Sequence, residues 1–222
     1  MKKIIQIEPW IDKRELKELK RVIKSTFVSE NKLNEEFQDS IKQITGSKYA
    51  VSMTNGTAAI FCALKALGVG EGDEVIIPNL TFIASANAVI FAGATPVLCD
   101  VNEKSLCMSS EDVLKVITPK TKAIMPVHLY GQSCDMDSLL DLAKKYNLKI
   151  IEDAAQGMGV LYKGRHVGTF GDVGILSFYA NKTITCGEGG VVLSADEKII
   201  QDCYKMKNHG RSKKGVFVHE SI

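Results

Sequence analysis

Short continuous apolar runs alternate with longer segments of helical period along most of this chain. Residues 11–44 carry two helical patterns, separated by a loop around 29–31. Downstream, strand-like runs fall at 49–53, 74–77, 96–99, 123–127, 149–152, 173–178 and 190–193. Helical patterns fall between them at 57–67, 84–91, 110–116 and 136–146, and a last one follows at 197–207. The helix at 57–67 is expected to stop at Gly68. The apolar runs are continuous rather than alternating, which predicts a sheet buried on both faces. Strands alternating with helices predict an α/β fold with a mostly parallel sheet flanked by helices.

One stretch tests this reading. From Val75 to Cys99 there is no charged residue, a length that could span a bilayer. Pro78, Asn79, Asn87, Gly93 and Pro96 interrupt it, so it reads as strand, loop, buried helix, loop, strand. Composition adds little against a globular chain. There are 222 residues, 45% hydrophobic, with net charge +2. No long basic block points to nucleic acid or an anionic membrane surface. The lysine-rich segment 13–24 reads as the solvated face of an amphipathic helix. The N-terminal apolar run is broken by Gln6 and Glu8, unlike a secretory signal. Six cysteines without C-x-x-C or zinc-like spacing suggest reduced thiols in a cytoplasmic protein, mostly small core residues, and no metal site. Cys186 is either near a cofactor or a small residue in a tight loop.

In a parallel sheet, ligands gather at the carboxyl ends of the strands. Segments 55–57, 79–82, 128–131, 153–156 and 177–182 all follow strands and should meet on one rim. Gly56 lets backbone approach an anion, and free amides at a helix start favour phosphate. Thr57 adds a hydroxyl, as does Ser177; for 55–57 a plain helix cap is the alternative. Phe82 offers a flat ring for stacking, or a core aromatic. Asp153 is either a helix cap or a carboxylate facing a protonated ring nitrogen. Gln156 is a neighbouring polar contact or a loop residue. Lys182 is a surface charge or a reactive amine. An acid ending one strand and a lysine after a later one is what a pyridoxal phosphate (PLP) enzyme needs. The lysine forms the Schiff base, and the aspartate keeps the ring protonated as an electron acceptor. No Walker or G-x-G-x-x-G motif supports a different nucleotide-binding α/β protein.

Taken in order, these segments resemble the DegT/DnrJ/EryC1/StrS family of sugar aminotransferases, of the fold-type I PLP architecture. The matching stretches are 52–59 (SMTNGTAA), 70–78 (GEGDEVIIP), 81–87 (TFIASAN), 92–96 (AGATP), 126–132 (PVHLYGQ), 152–156 (EDAAQ) and 208–210 (NHG). Segment 177–190 is similar to the GDP-perosamine synthase subfamily, and more generally to C4-aminotransferases of nucleotide sugars. The resemblance implies that Lys182 carries the cofactor and that Asp153 pairs with the pyridine nitrogen. It implies that Gln156 touches the ring oxygen, that Phe82 stacks on the ring, and that Gly56, Thr57 and Ser177 hold the phosphate. Related sugar 3-dehydratases have histidine where Lys182 stands, so lysine favours transamination. It also implies an amino-acid donor, a nucleotide-linked keto sugar as acceptor, surface-glycan biosynthesis and a homodimer. By the same comparison, 1–45 is an N-terminal helical segment and 46–222 the PLP-binding large domain. The chain stops at 219–222 (HESI), before a G-Y-N-x-R-like segment of the family. The small C-terminal domain is then absent, which leaves open a non-catalytic PLP-binding or interaction domain.

Overall fold

The computed structural model describes residues 8–212. The opening residues 1–7, within the stretch read as no secretory signal, and the end at 219–222 lie outside the described residues.

Seven strands form one sheet in the order β1-β9-β8-β5-β4-β2-β3. They are β1 (Tyr49–Met53), β2 (Glu74–Pro78), β3 (Thr95–Cys99), β4 (Thr121–Ile124), β5 (Lys149–Asp153), β8 (Val173–Ser177) and β9 (Gly190–Ser194). β9 runs antiparallel to both β1 and β8. The other pairings are parallel, so every strand but β9 points the same way. The α/β reading with a mostly parallel sheet therefore holds.

Period-two alternation sorts the strand residues between two helix layers. On one face Val75, Ile77, Ile151, Val173, Ile175 and Val192 pack with α3 (Gly56–Ala66), α4 (Ala84–Phe91) and α7 (Glu197–Lys207). On the other, Ile76, Ile124 and Ile150 meet α5 (Ser110–Val116) and α6 (Met136–Tyr146). Leu176, Val191 and Leu193 on that face meet Ile41 of α2 (Lys32–Thr45). The edge strand β3 is only partly covered and carries Pro96, whose missing N–H an edge tolerates.

The helix at the chain start, α1 (Lys13–Ser25), has a capping box at Asp12 and Glu15 and buries no residue. Its lysines are solvated as expected, but Leu16, Leu19 and Ile23 are exposed as well.

Three expectations need correction, and one pair of strands went unpredicted. β4 ends at Ile124, not 127; beyond it only Val127 still bridges, to Asp153. Pro126 in that stretch has no N–H to give the ladder. The uncharged stretch 75–99 does resolve into strand, loop, helix, loop and strand, and no helix among the described residues is long and apolar enough to cross a membrane. Its helix is not buried, however. Ser85, Ala88 and Val89 face inward while Ile83, Ile90 and Phe91 are exposed, because α4 packs on α3 and the sheet from one side only. The helix expected at 57–67 begins one residue earlier, capped by Asn55, and ends at Ala66. A small hairpin, β6 (Leu161–Tyr162) with β7 (Arg165–His166), was not legible; its strands are too short for any period.

Candidate active site

The carboxyl ends of β1, β2, β5 and β8, with the turn after β4, open into one cleft of about 360 Å³. Gly56, Thr57, Phe82, Asp153, Gln156, Ser177 and Lys182 all line it. The named site residues thus meet on one rim, whereas segment 128–131, also expected there, lends the cleft no lining residue and reaches it only through the Tyr130 N–H on Gln156.

One wall is the start of α3. Asn55 is extended, and its side chain accepts the Ala58 N–H at 2.8 Å, while its carbonyl accepts that of Ala59. The N–H groups of Gly56 and Thr57 are left with no hydrogen bond among the described residues. A positive partial charge thus faces this end of the cleft. A Cβ at position 56 would sit 3.1 Å from Ser177 Cβ and 3.3 Å from its Oγ, so glycine is what lets α3 approach the end of β8. Gly190 performs the same service beside it, where a methyl would overlap the Asn55 carbonyl.

The floor is the end of β5. Asp153 is 5% exposed. Its Oδ2 accepts the hydroxyl of buried Ser85 at 2.8 Å, and its Oδ1 accepts the Ala155 N–H at 3.1 Å. Ser85 Oγ in turn lies 2.9 Å from Thr81 Oγ1. The residues after Asp153 form a turn, not a helix, which removes the helix-cap alternative. Gln156 Oε1 accepts the N–H of Tyr130, a residue held at a φ of 53°. The amide NH₂ of Gln156 remains as a donor. Phe82 is 66% exposed at the cleft edge, so it is no core aromatic.

Lys182 lies in the loop between β8 and β9. Phe178 anchors that loop: its ring is buried edge-on against Phe37 at 5.1 Å, and its backbone bonds Gly189 and Cys186. The Lys182 N–H bonds the Tyr179 carbonyl at 2.9 Å. Burial pushes the Lys182 side chain below its ordinary pKa of 10.5, and the charge of Asp153 partly opposes this. Lys182 is half-buried and lines the cleft, unlike a fully exposed surface lysine. Cys186 is exposed and its Sγ bonds the Glu188 carbonyl at 3.1 Å. It does not line the cleft, so the tight-loop reading fits it. The other five cysteines are buried thiols.

The profile of the DegT/DnrJ/EryC1/StrS aminotransferase family matches residues 9–222. This chain belongs to that family. Among family relatives, GDP-perosamine synthase of Escherichia coli O157:H7 is 43% identical over all of this chain and 61% of its own length. An aminotransferase from Psychrobacter cryohalolentis superposes with a TM-score of 0.90 at 40% identity, over 97% of this chain and 56% of that one. NtdA of Bacillus subtilis, solved with bound cofactor PMP, superposes with a TM-score of 0.86 at 31% identity, over 99% of this chain and 52% of that one. The chain thus spans between about half and three-fifths of the length of these relatives.

Residue-by-residue reading missed several members of the family cleft. Tyr179, Asn181 and Glu188 line it. Thr81 lines it too, and Ser85 stands behind Asp153. Thr81 and Ser85 share one helix-face spacing, i and i+4, which was visible. That this face meets a residue 68 positions away was not.

Proposed function

We propose that this chain binds pyridoxal 5′-phosphate in the cleft and serves an aminotransferase of nucleotide-linked keto sugars. The observation that carries the proposal is the meeting of Lys182, Asp153 and the α3 start in one cleft. The residues fit the group. The close Gly56–Ser177 approach leaves little room for a side chain at 56, and two free amides with the hydroxyls of Thr57 and Ser177 suit a phosphate. Each Asp153 oxygen uses one hydrogen bond and retains acceptor capacity for a pyridinium N–H. The Gln156 NH₂ suits the ring oxygen, and the exposed Phe82 ring suits its face.

When bound, the cofactor supplies a protonated ring that takes up electrons as a proton leaves the amino donor's α-carbon. Lys182 Nζ is the amine that holds the cofactor aldehyde. Its depressed pKa leaves more of it neutral and nucleophilic near neutral pH. Once free of the aldehyde, the same Nζ would take the α-proton as base and deliver it, as acid, to the cofactor carbon that carried the aldehyde. Ser85 and Ala155 hold the Asp153 carboxylate at the cleft floor, where it would face the ring nitrogen of the cofactor.

By family analogy the donor is glutamate and the acceptor is a keto sugar on a nucleoside diphosphate. The product is an amino sugar for a surface polysaccharide, made in the cytoplasm by a homodimer. Similarity to GDP-perosamine synthase at 43% supports an acceptor sugar carried on a nucleotide. The second reading is that the chain binds PLP or pairs with another chain without turnover.

Visible absorbance of the purified chain with PLP, before and after glutamate, separates these readings. A band that bleaches with glutamate supports transamination. A band that glutamate leaves unchanged supports the second reading. The same band in Lys182→Ala protein would overturn the proposal.

A further inference from the structure

Serines inside helices usually bond the carbonyl one turn back. Ser85 does otherwise. It is fully buried in the first turn of α4, and its hydroxyl donates to Asp153 Oδ2 at 2.8 Å. An ionised carboxylate only accepts, and a hydroxyl has one proton. Ser85 must therefore accept from its other neighbour, Thr81 Oγ1, at 2.9 Å. The proton order runs Thr81 to Ser85 to Asp153. Thr81 lines the cleft wall, so the chain begins at the cleft and returns to it through the carboxylate. Hydrogen bonds to a charged acceptor are the strong ones, and a chain of donors polarises further. With Ala155 N–H on the other oxygen, the carboxylate is held from two sides and cannot rotate freely.

We propose that Ser85, backed by Thr81, is a positioning residue that aims Asp153 at the ring nitrogen of the cofactor. This rests on the PLP reading above. Its consequence is selective: Ser85 should matter only for ligands that present an N–H to Asp153. A residue that merely supports the fold would affect all ligands of that shape alike.

The test compares binding of PLP with its carbocyclic analogue, in which ring C–H replaces the nitrogen. Dissociation constants are measured for the full chain and for Ser85→Ala, Ser85→Thr and Thr81→Val. Ser85→Ala is expected to weaken PLP about ten-fold and to leave the analogue within about two-fold. Ser85→Thr, which keeps the hydroxyl, is expected to restore most of the PLP preference. Thr81→Val should lose preference in the same direction but less. Because Thr81 is only partly buried, this variant decides the matter if Ser85→Ala fails to fold. Equal weakening of both ligands, or of neither, overturns the positioning role while leaving the PLP reading intact. A wild-type chain that takes up neither ligand overturns the PLP reading and this inference with it.

Discussion

Glu152 and Asp153 are adjacent acids on one strand, both buried, and they lead opposite lives. Alternation turns Glu152 away from the cleft. There it accepts four hydrogen bonds: from His128 Nε2 at 3.0 Å, Gly168 N at 2.7 Å, Phe170 N at 2.6 Å and Gly171 N at 2.7 Å. His128 is itself satisfied, since its Nδ1 accepts the Cys134 N–H. Asp153 faces the cleft with two donors and capacity to spare. A carboxylate saturated by its own chain ties segments together: here the turn after β4 and the loop before β8. A carboxylate left with open lone pairs beside a cavity is ready for a ligand. The two roles are told apart by counting donors, not by burial, which is nearly equal.

The largest expected effect breaks the saturated side. In Glu152→Gln an NH₂ replaces one oxygen and meets two N–H donors. Two buried donors lose their partner, and we expect a loss of about 3 kcal/mol or more. For a chain of this size that is roughly a 10 °C fall in Tm, measurable by thermal unfolding. A loss under about 1 kcal/mol would contradict the tying role.

Asp153→Asn probes the open side with the same chemical change. We expect a stability loss of only about 1 kcal/mol, with PLP retention the property that suffers. The variant also tests Lys182. Burial lowers the Lys182 pKa and the Asp153 charge raises it, so removing that charge should lower it further. The neutral amine then appears at lower pH. Reductive labelling of Lys182 by a small aldehyde, followed across pH by mass spectrometry, should shift its midpoint downward in Asp153→Asn. An upward or absent shift would mean that the two groups do not sense each other.

The smallest effect sharpens the contrast at the rim. Phe82 is 66% exposed, so Phe82→Ala should leave stability within about 0.5 kcal/mol of wild type while weakening PLP. A destabilisation above about 2 kcal/mol would return Phe82 to the core reading.

Much of this was legible in the chain. The alternation of apolar runs and helical periods placed the seven strands of the main sheet and every α-helix among the described residues, because burial on a sheet or helix face repeats with the geometry of that element. The residues after the strands announced the cleft, because parallel strands carry their ends to one rim. What the sequence left open depended on partners distant along the chain. The antiparallel course of β9 is set by its pairing with β1 and β8, which local pattern does not encode. The exposed outer face of α4 depends on what packs against it, since its residues are apolar nearly all round. Whether Asp153 was a cap or a ligand-facing acid, and whether Glu152 beside it was functional at all, turned on donors from Ser85, His128, Gly168, Phe170 and Gly171. Sequence by itself determined the elements, their order and the residues able to do chemistry, since these follow from local period and side-chain type. Only the tertiary structure decided which acid is saturated and which is free, because a hydrogen bond requires two groups within about 3 Å, and folding alone brings them there.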